Sequence, residues 1–137
     1  MNEVSNVERV LAGAAISVGA ATVSAVAYFN PVTAGFFPQC PLYQMTGFSC
    51  PGCGLTRGFH ALFHGDIFGA LGYNALIPVY VFVFLYIAVA LISIVVRGRG
   101  ISARFVQPKL IYGFLIVSLV FGVVRNLPFY PFSLLAV

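Results

Sequence analysis

From Val10 to Phe29 the chain carries no charged residue, and a run of this kind is close to the ~20 apolar residues that cross a hydrocarbon core as a helix. This predicts a first membrane-spanning helix over residues 10–29. Within it Gly13, Ser17, Ala21 and Ala25 recur every four positions, so one face is small enough for another helix backbone, from a partner protein or a second copy, to approach closely. Asn30-Pro31 ends the run, because proline disfavours helical geometry in the residue before it and has no N–H for the ladder. Gly35, Pro38, Pro41 and Gly47 then lead to Cys50-Pro51-Gly52-Cys53-Gly54, and this density of turn formers predicts an irregular loop.

From Gly54 to Phe63 the apolar Leu55, Phe59, Leu62 and Phe63 fall at helical spacing, giving a short amphipathic helix too brief to cross, lying in the interface or re-entering. Gly65 stops it and Asp66 stands where it can cap the next helix. The uncharged stretch over residues 67–96 is long enough to span with tilt or a kink. The kink is expected at Pro78, which lacks the N–H that would bond the Asn74 carbonyl. A third apolar run covers residues 110–124, and the tail, residues 125–137, places Phe129, Tyr130 and Phe132 around Pro128 and Pro131 as an aromatic segment at the interface. The expected fold is thus an all-α membrane protein of one domain, residues 1–137. It has three transmembrane helices, with the cysteine loop and short helix over residues 30–65.

Composition agrees with this pattern: 61% of the 137 residues are apolar and 7% charged, where a soluble domain carries about a quarter charged residues. So few charges cannot clothe a water-facing globule. Four of the seven basic residues, Arg97, Arg99, Arg104 and Lys109, share the linker between the second and third runs, with no acid among them. By the positive-inside rule this linker over residues 97–109 is cytoplasmic. The cysteine loop and the carboxyl terminus then lie outside, and Arg9 lies inside. The basic residues cluster at a membrane edge and not beside aromatic platforms, so no nucleic-acid partner is expected. A cleaved signal peptide is the rival for the first run, since Ala25-Val26-Ala27 has a small-x-small form. Against it, Glu3 and Glu8 beside Arg9 leave no positive excess ahead of the apolar stretch.

The chemistry concentrates in three cysteines. Cys50 and Cys53 are spaced so that a tight turn brings both sulfurs to one side, which suits a tetrahedral metal or a redox disulfide equally. Cys40-Pro41 supplies a third thiol, leaving a tetrahedral site one ligand short. The candidates for the fourth position are His60, His64, water or a partner. A helix starting at Gly54 sets His60 about 10 Å along the axis from Cys53, which makes the histidines distant. The same spacing strings Cys53, Arg57, His60 and His64 along one helix face. Arg57 there would favour thiolate over thiol, or the stripe is only the wet face of an interfacial helix. Asp66, the one acid after Glu8, has Arg57 and Arg125 as candidate partners near the cysteines, with Arg125 otherwise reaching headgroups from the end of the third span.

Cys40-Pro41, Thr46-Gly47, the run from Cys50 to Arg57, Gly65-Asp66, Ala70 and Asn74 resemble a widespread family of small bacterial membrane proteins known only as a domain of unknown function. The resemblance implies a bacterial inner-membrane protein with the two cysteine elements, Arg57 and Asp66 as hallmarks and Asn74 within the pattern. It implies no activity. Ala75 follows Asn74 where that family often has proline, so the kink is expected elsewhere.

Three readings stay open at this stage. Cys40, Cys50 and Cys53 bind a metal, zinc by ligand type. Alternatively, Cys50 and Cys53 cycle between dithiol and disulfide with Cys40 as a relay. In the third reading one disulfide staples the loop of a scaffold or partner subunit. No phosphate-cradling glycine loop, serine-histidine-acid set or paired carboxylates are present, so hydrolase and kinase chemistry has no footing.

Overall fold

The computed structural model describes residues 4–35, 37, 40–100 and 108–128. Among them the chain is all-helical: α1 Asn6–Tyr28, α2 Pro41–Thr46, α3 Leu55–Phe63, α4 Ile67–Tyr73, α5 Ile77–Arg97 and α6 Pro108–Val124. Arg104 and the tail aromatics Phe129, Tyr130 and Phe132 lie outside the described residues. Two helices are long and apolar enough to cross a membrane, α1 with 23 residues and α5 with 21. The expected third span is not among them: α6 has 17 described residues, about 26 Å at 1.5 Å per residue, at the lower limit of what crosses a ~30 Å core.

The chain divides into two compact units, Met1–Ala25 with Pro78–Ile111 and Val26–Ile77 with Tyr112–Val137. In the first, α1 opens on a capping box. The Glu8 carboxylate accepts from the Ser5 N–H at 2.8 Å while the Ser5 hydroxyl accepts from the Glu8 N–H at 3.3 Å, satisfying donors that a helix start otherwise leaves orphaned. Arg9 closes the other end of this unit by donating to the Val95 carbonyl at 2.8 Å. Cations suit the carboxyl end of a helix, and Val95 is in the last turn of α5. The side chains of α5 remain largely uncovered, Phe82 being 75% exposed, unlike those of the core helix of a soluble domain.

The second unit holds the chemistry. Its α2 is a correction to the expected irregular loop: Pro41 sits at the first helical position, where its missing N–H costs nothing, and Gly47 ends the helix in left-handed geometry. Helices α3 and α4 form a hairpin joined by a Schellman turn. The Asp66 N–H bonds the Ala61 carbonyl and the Gly65 N–H bonds that of Leu62, both at 3.0 Å, with Gly65 at φ +82° supplying the left-handed residue that other side chains resist. Asp66 does cap α4, accepting from the Gly69 N–H at 2.8 Å. The helices close on Gly58, where a Cβ would overlap the end of Ile77 and come within 3.1 Å of the Ala70 carbonyl. Ala70 and Ile77, which meet it there, are buried, as is Leu76.

The expected single helix over residues 67–96 is also corrected. It breaks at Asn74, whose backbone is extended, and Pro78 falls in the first turn of α5, where proline is tolerated. The side chain of Asn74 explains the break. Its Oδ1 accepts from the Leu76 N–H at 2.9 Å, a local bond that competes with helix continuation.

Candidate functional site

The tight turn at Cys50 is closed by the Cys53 N–H donating to the Cys50 carbonyl at 3.0 Å, and Gly54 at φ +79° then turns the chain into α3. This left-handed residue lies between Cys53 and the helix. Cys53 is therefore out of helical phase with Arg57, and the expected polar stripe begins only at Arg57. Three long-range side chains pin the turn. Asn74 Nδ2 donates to the carbonyls of Pro51 at 2.8 Å and Cys53 at 3.2 Å. Arg125 Nη1 donates to those of Cys50 at 3.2 Å and Cys53 at 3.0 Å. Asn126 pairs with Ser49 on both sides, accepting its N–H and donating to its carbonyl, each at 2.8 Å. Where α6 passes, Gly122 gives room for the Pro51 ring, which would lie 3.1 Å from a Cβ there.

Asn74 and Arg125 are the two largest fully buried side chains among the described residues. Buried amides and guanidinium groups are kept where their removal would strand backbone acceptors, at about 1–3 kcal/mol for each group left unsatisfied. The expense of these residues is thus devoted to the shape of one turn.

That turn and the start of α2 bring the sulfurs together. Cys50 Sγ lies 3.1 Å from Cys40 Sγ and 3.1 Å from Cys53 Sγ, and the three ligand atoms all lie within 4.8 Å of one another. All three thiols are free. The Cys50 N–H also donates to Cys53 Sγ at 3.1 Å. Metal–sulfur bonds of ~2.3 Å at tetrahedral angles set sulfurs about 3.8 Å apart, so an ion drawn among these thiols would part Cys50 from each neighbour by less than ~1 Å. The donor set and its spacing fit a thiophilic cation.

The thiols are unequal. The Cys50 thiol beside it, then the Tyr43 backbone, hold Cys40 down at about 7, whereas burial, then the neighbouring Cys50 and Cys40 thiols, push Cys53 up to about 12. Cys50 and Pro51 line an open groove of about 410 Å³ with Leu42, Phe48, Leu119 and Leu127, so the cluster is approachable from an apolar side.

The histidines are not brought to the thiols. His60 Nδ1 is 2.7 Å from the Val26 carbonyl and His64 Nδ1 is 2.8 Å from that of His60, and among the described residues the cluster contains the three cysteines alone. The expected charge cluster also separates: Asp66 caps α4 and is exposed, Arg57 is exposed, and Arg125 turns to the cysteine carbonyls. No ion pair joins these three among the described residues. Arg125 does not snorkel, being 0% exposed. Burial lowers its affinity for its proton, and the Cys53 and Cys50 sulfurs act in the opposite sense. The cation coupled to the thiols is thus Arg125, one turn beyond the Phe121 ring that lies 5.3 Å from its guanidinium. Asn126 is the participant that sequence reasoning missed. Its one signal is its place beside Arg125 at the end of an apolar run, where polar side chains are costly without partners.

A family described as protein of unknown function, DUF2752, matches residues 40–88. The matched segment takes in the three cysteines, Arg57, Asp66 and Asn74, and ends before Arg125 and Asn126. No curated protein and no solved structure matches the chain.

Proposed function

We propose that the chain is a small bacterial cell-membrane protein that binds a metal ion, zinc by ligand type, through Cys40, Cys50 and Cys53. The observation that carries this is the convergence of three free sulfurs within 4.8 Å on a turn whose carbonyls are held from two other helices' ends. Preorganised soft ligands favour zinc-like ions, and three protein ligands leave a fourth position for water or a partner group. A second reading draws on the place of Cys50, with a sulfur 3.1 Å away on either side: Cys50 could exchange a disulfide between Cys40 and Cys53, given a thiol or disulfide substrate.

The membrane placement is supported by the length and apolarity of α1 and α5 and by Arg97, Arg99, Arg104 and Lys109. These basic residues orient the linker over residues 97–109 toward the cytoplasm and the cysteine segment outward. The small-residue face of α1, with Ser17 and Ala21 exposed, is the proposed contact with a second copy or a membrane partner.

Metal content and free-thiol count on the purified, detergent-solubilised chain test the reading. The metal reading expects about one zinc per chain and three thiols that become reactive only after chelation. Metal-free protein with one disulfide and one free thiol would overturn it and leave a disulfide, either exchanging or structural.

A further inference from the structure

The buried guanidinium of Arg125 is incompletely partnered. Its Nη1 serves the Cys50 and Cys53 carbonyls, while Nε and Nη2 are buried with no hydrogen-bond partner among the described residues. A guanidinium does not shed its proton to escape burial, and a buried charge without a counter-charge is strongly unfavourable. The ring of Phe121 offsets part of this.

The chain has three acids, and none of the described ones serves Arg125. The Asp66 carboxylate is engaged with the Gly69 N–H, and that of Glu8 is engaged with Ser5; Glu3 lies outside the described residues. Among the described residues the negative charge that can reach Arg125 is that of the cysteine sulfurs once they lose their protons.

We infer that Arg125 is the built-in counter-ion of the cysteine centre, which accordingly takes a divalent thiophilic cation on three thiolates with a neutral group in the fourth position. This rests on the metal reading above. Three thiolates and a divalent ion leave one net negative charge, and Arg125 cancels it. In a poorly screened interior, net neutrality is the favoured state. A fourth anionic ligand would leave an uncancelled charge, so water, an imidazole or a carbonyl fits the open position and a further thiolate does not. Each bound ion displaces the protons of its thiols, so the number of protons released reports the number of thiolates.

The test uses the full chain in detergent, reduced and freed of metal, titrated with Co²⁺ and Cd²⁺ at about pH 6, where ordinary thiols hold their protons. Sulfur-to-metal charge-transfer absorbance and protons released are read per ion bound. The wild-type chain is expected to release about three protons per ion. In Arg125→Gln one cysteine should stay protonated, lowering release to about two and the absorbance per ion by about a third, and Arg125→Lys should restore most of both. An Arg125→Gln chain that still releases three, or a wild-type chain that releases two, overturns the inference while leaving metal binding intact. A wild-type chain that binds no ion overturns the metal reading itself. Should Arg125→Gln fail to fold by circular dichroism, the wild-type count and Arg125→Lys decide: three in both supports the inference, and two in either contradicts it.

Discussion

Cys40 and Cys53 stand at equal distances from Cys50 yet differ in proton affinity, because one is held against a neighbouring thiol at the open start of α2 and the other is partly buried in the turn. Cys40 is held at about 7 and Cys53 at about 12, on either side of the ordinary thiol value of 9.0. Thiolate is the reactive form. A group lowered in this way gains its charge as pH rises through the lowered value, and a raised one stays neutral over the same range. In reduced, metal-free protein, iodoacetamide should therefore modify Cys40 with a rate that climbs through about pH 7, while Cys53 resists until strongly alkaline pH. Peptide mass mapping over a pH series checks this, and Cys53 reacting ahead of Cys40 at neutral pH would contradict it. At this scale the cysteines are legible from sequence because proline and glycine between Cys50 and Cys53 leave the chain little choice but a turn. The choice of Arg125 over Arg57 as their neighbour is not legible. It depends on the left-handed Gly54, which rotates α3 out of register with Cys53, and on which helix end meets the turn.

The helical elements were mostly visible in the spacing of apolar residues, and their breaks were less so. The apolar repeat through Leu55, Phe59 and Leu62 reports α3 correctly, since one face packs through Gly58 on the α4 side. The stop at Gly65 and the cap at Asp66 follow from local chemistry that needs no distant partner. Asn74 shows the opposite case. Hydrophobicity runs on past it without a charge, so pattern alone extends one helix over residues 67–96, whereas the asparagine is drawn aside to serve Leu76, Pro51 and Cys53 at once. Those last two partners are more than twenty residues away, and nothing in the local sequence announces them. In α2 the cause is reversed: Pro41 reads as a turn former by its local sequence, although at the first helical position it favours the start of a helix.

For the whole molecule, the proposed orientation rests on the basic residues of the linker over residues 97–109. A reporter active only in the cytoplasm, fused after Gly100, should be active in whole cells, whereas activity of a reporter that requires export from the same position would reverse the orientation and move the cysteines inward. The division of labour between the units is consistent with this account: the first is built of long apolar helices, and the second gathers the polar residues around one turn. Whether Cys40, Cys50 and Cys53 together ligate a single ion is read from X-ray absorption at the zinc edge on the loaded chain. About three sulfur neighbours at ~2.3 Å and one lighter atom at ~2.0–2.1 Å are expected. A shell of two sulfurs or fewer, or one with two or more histidine nitrogens, would contradict this.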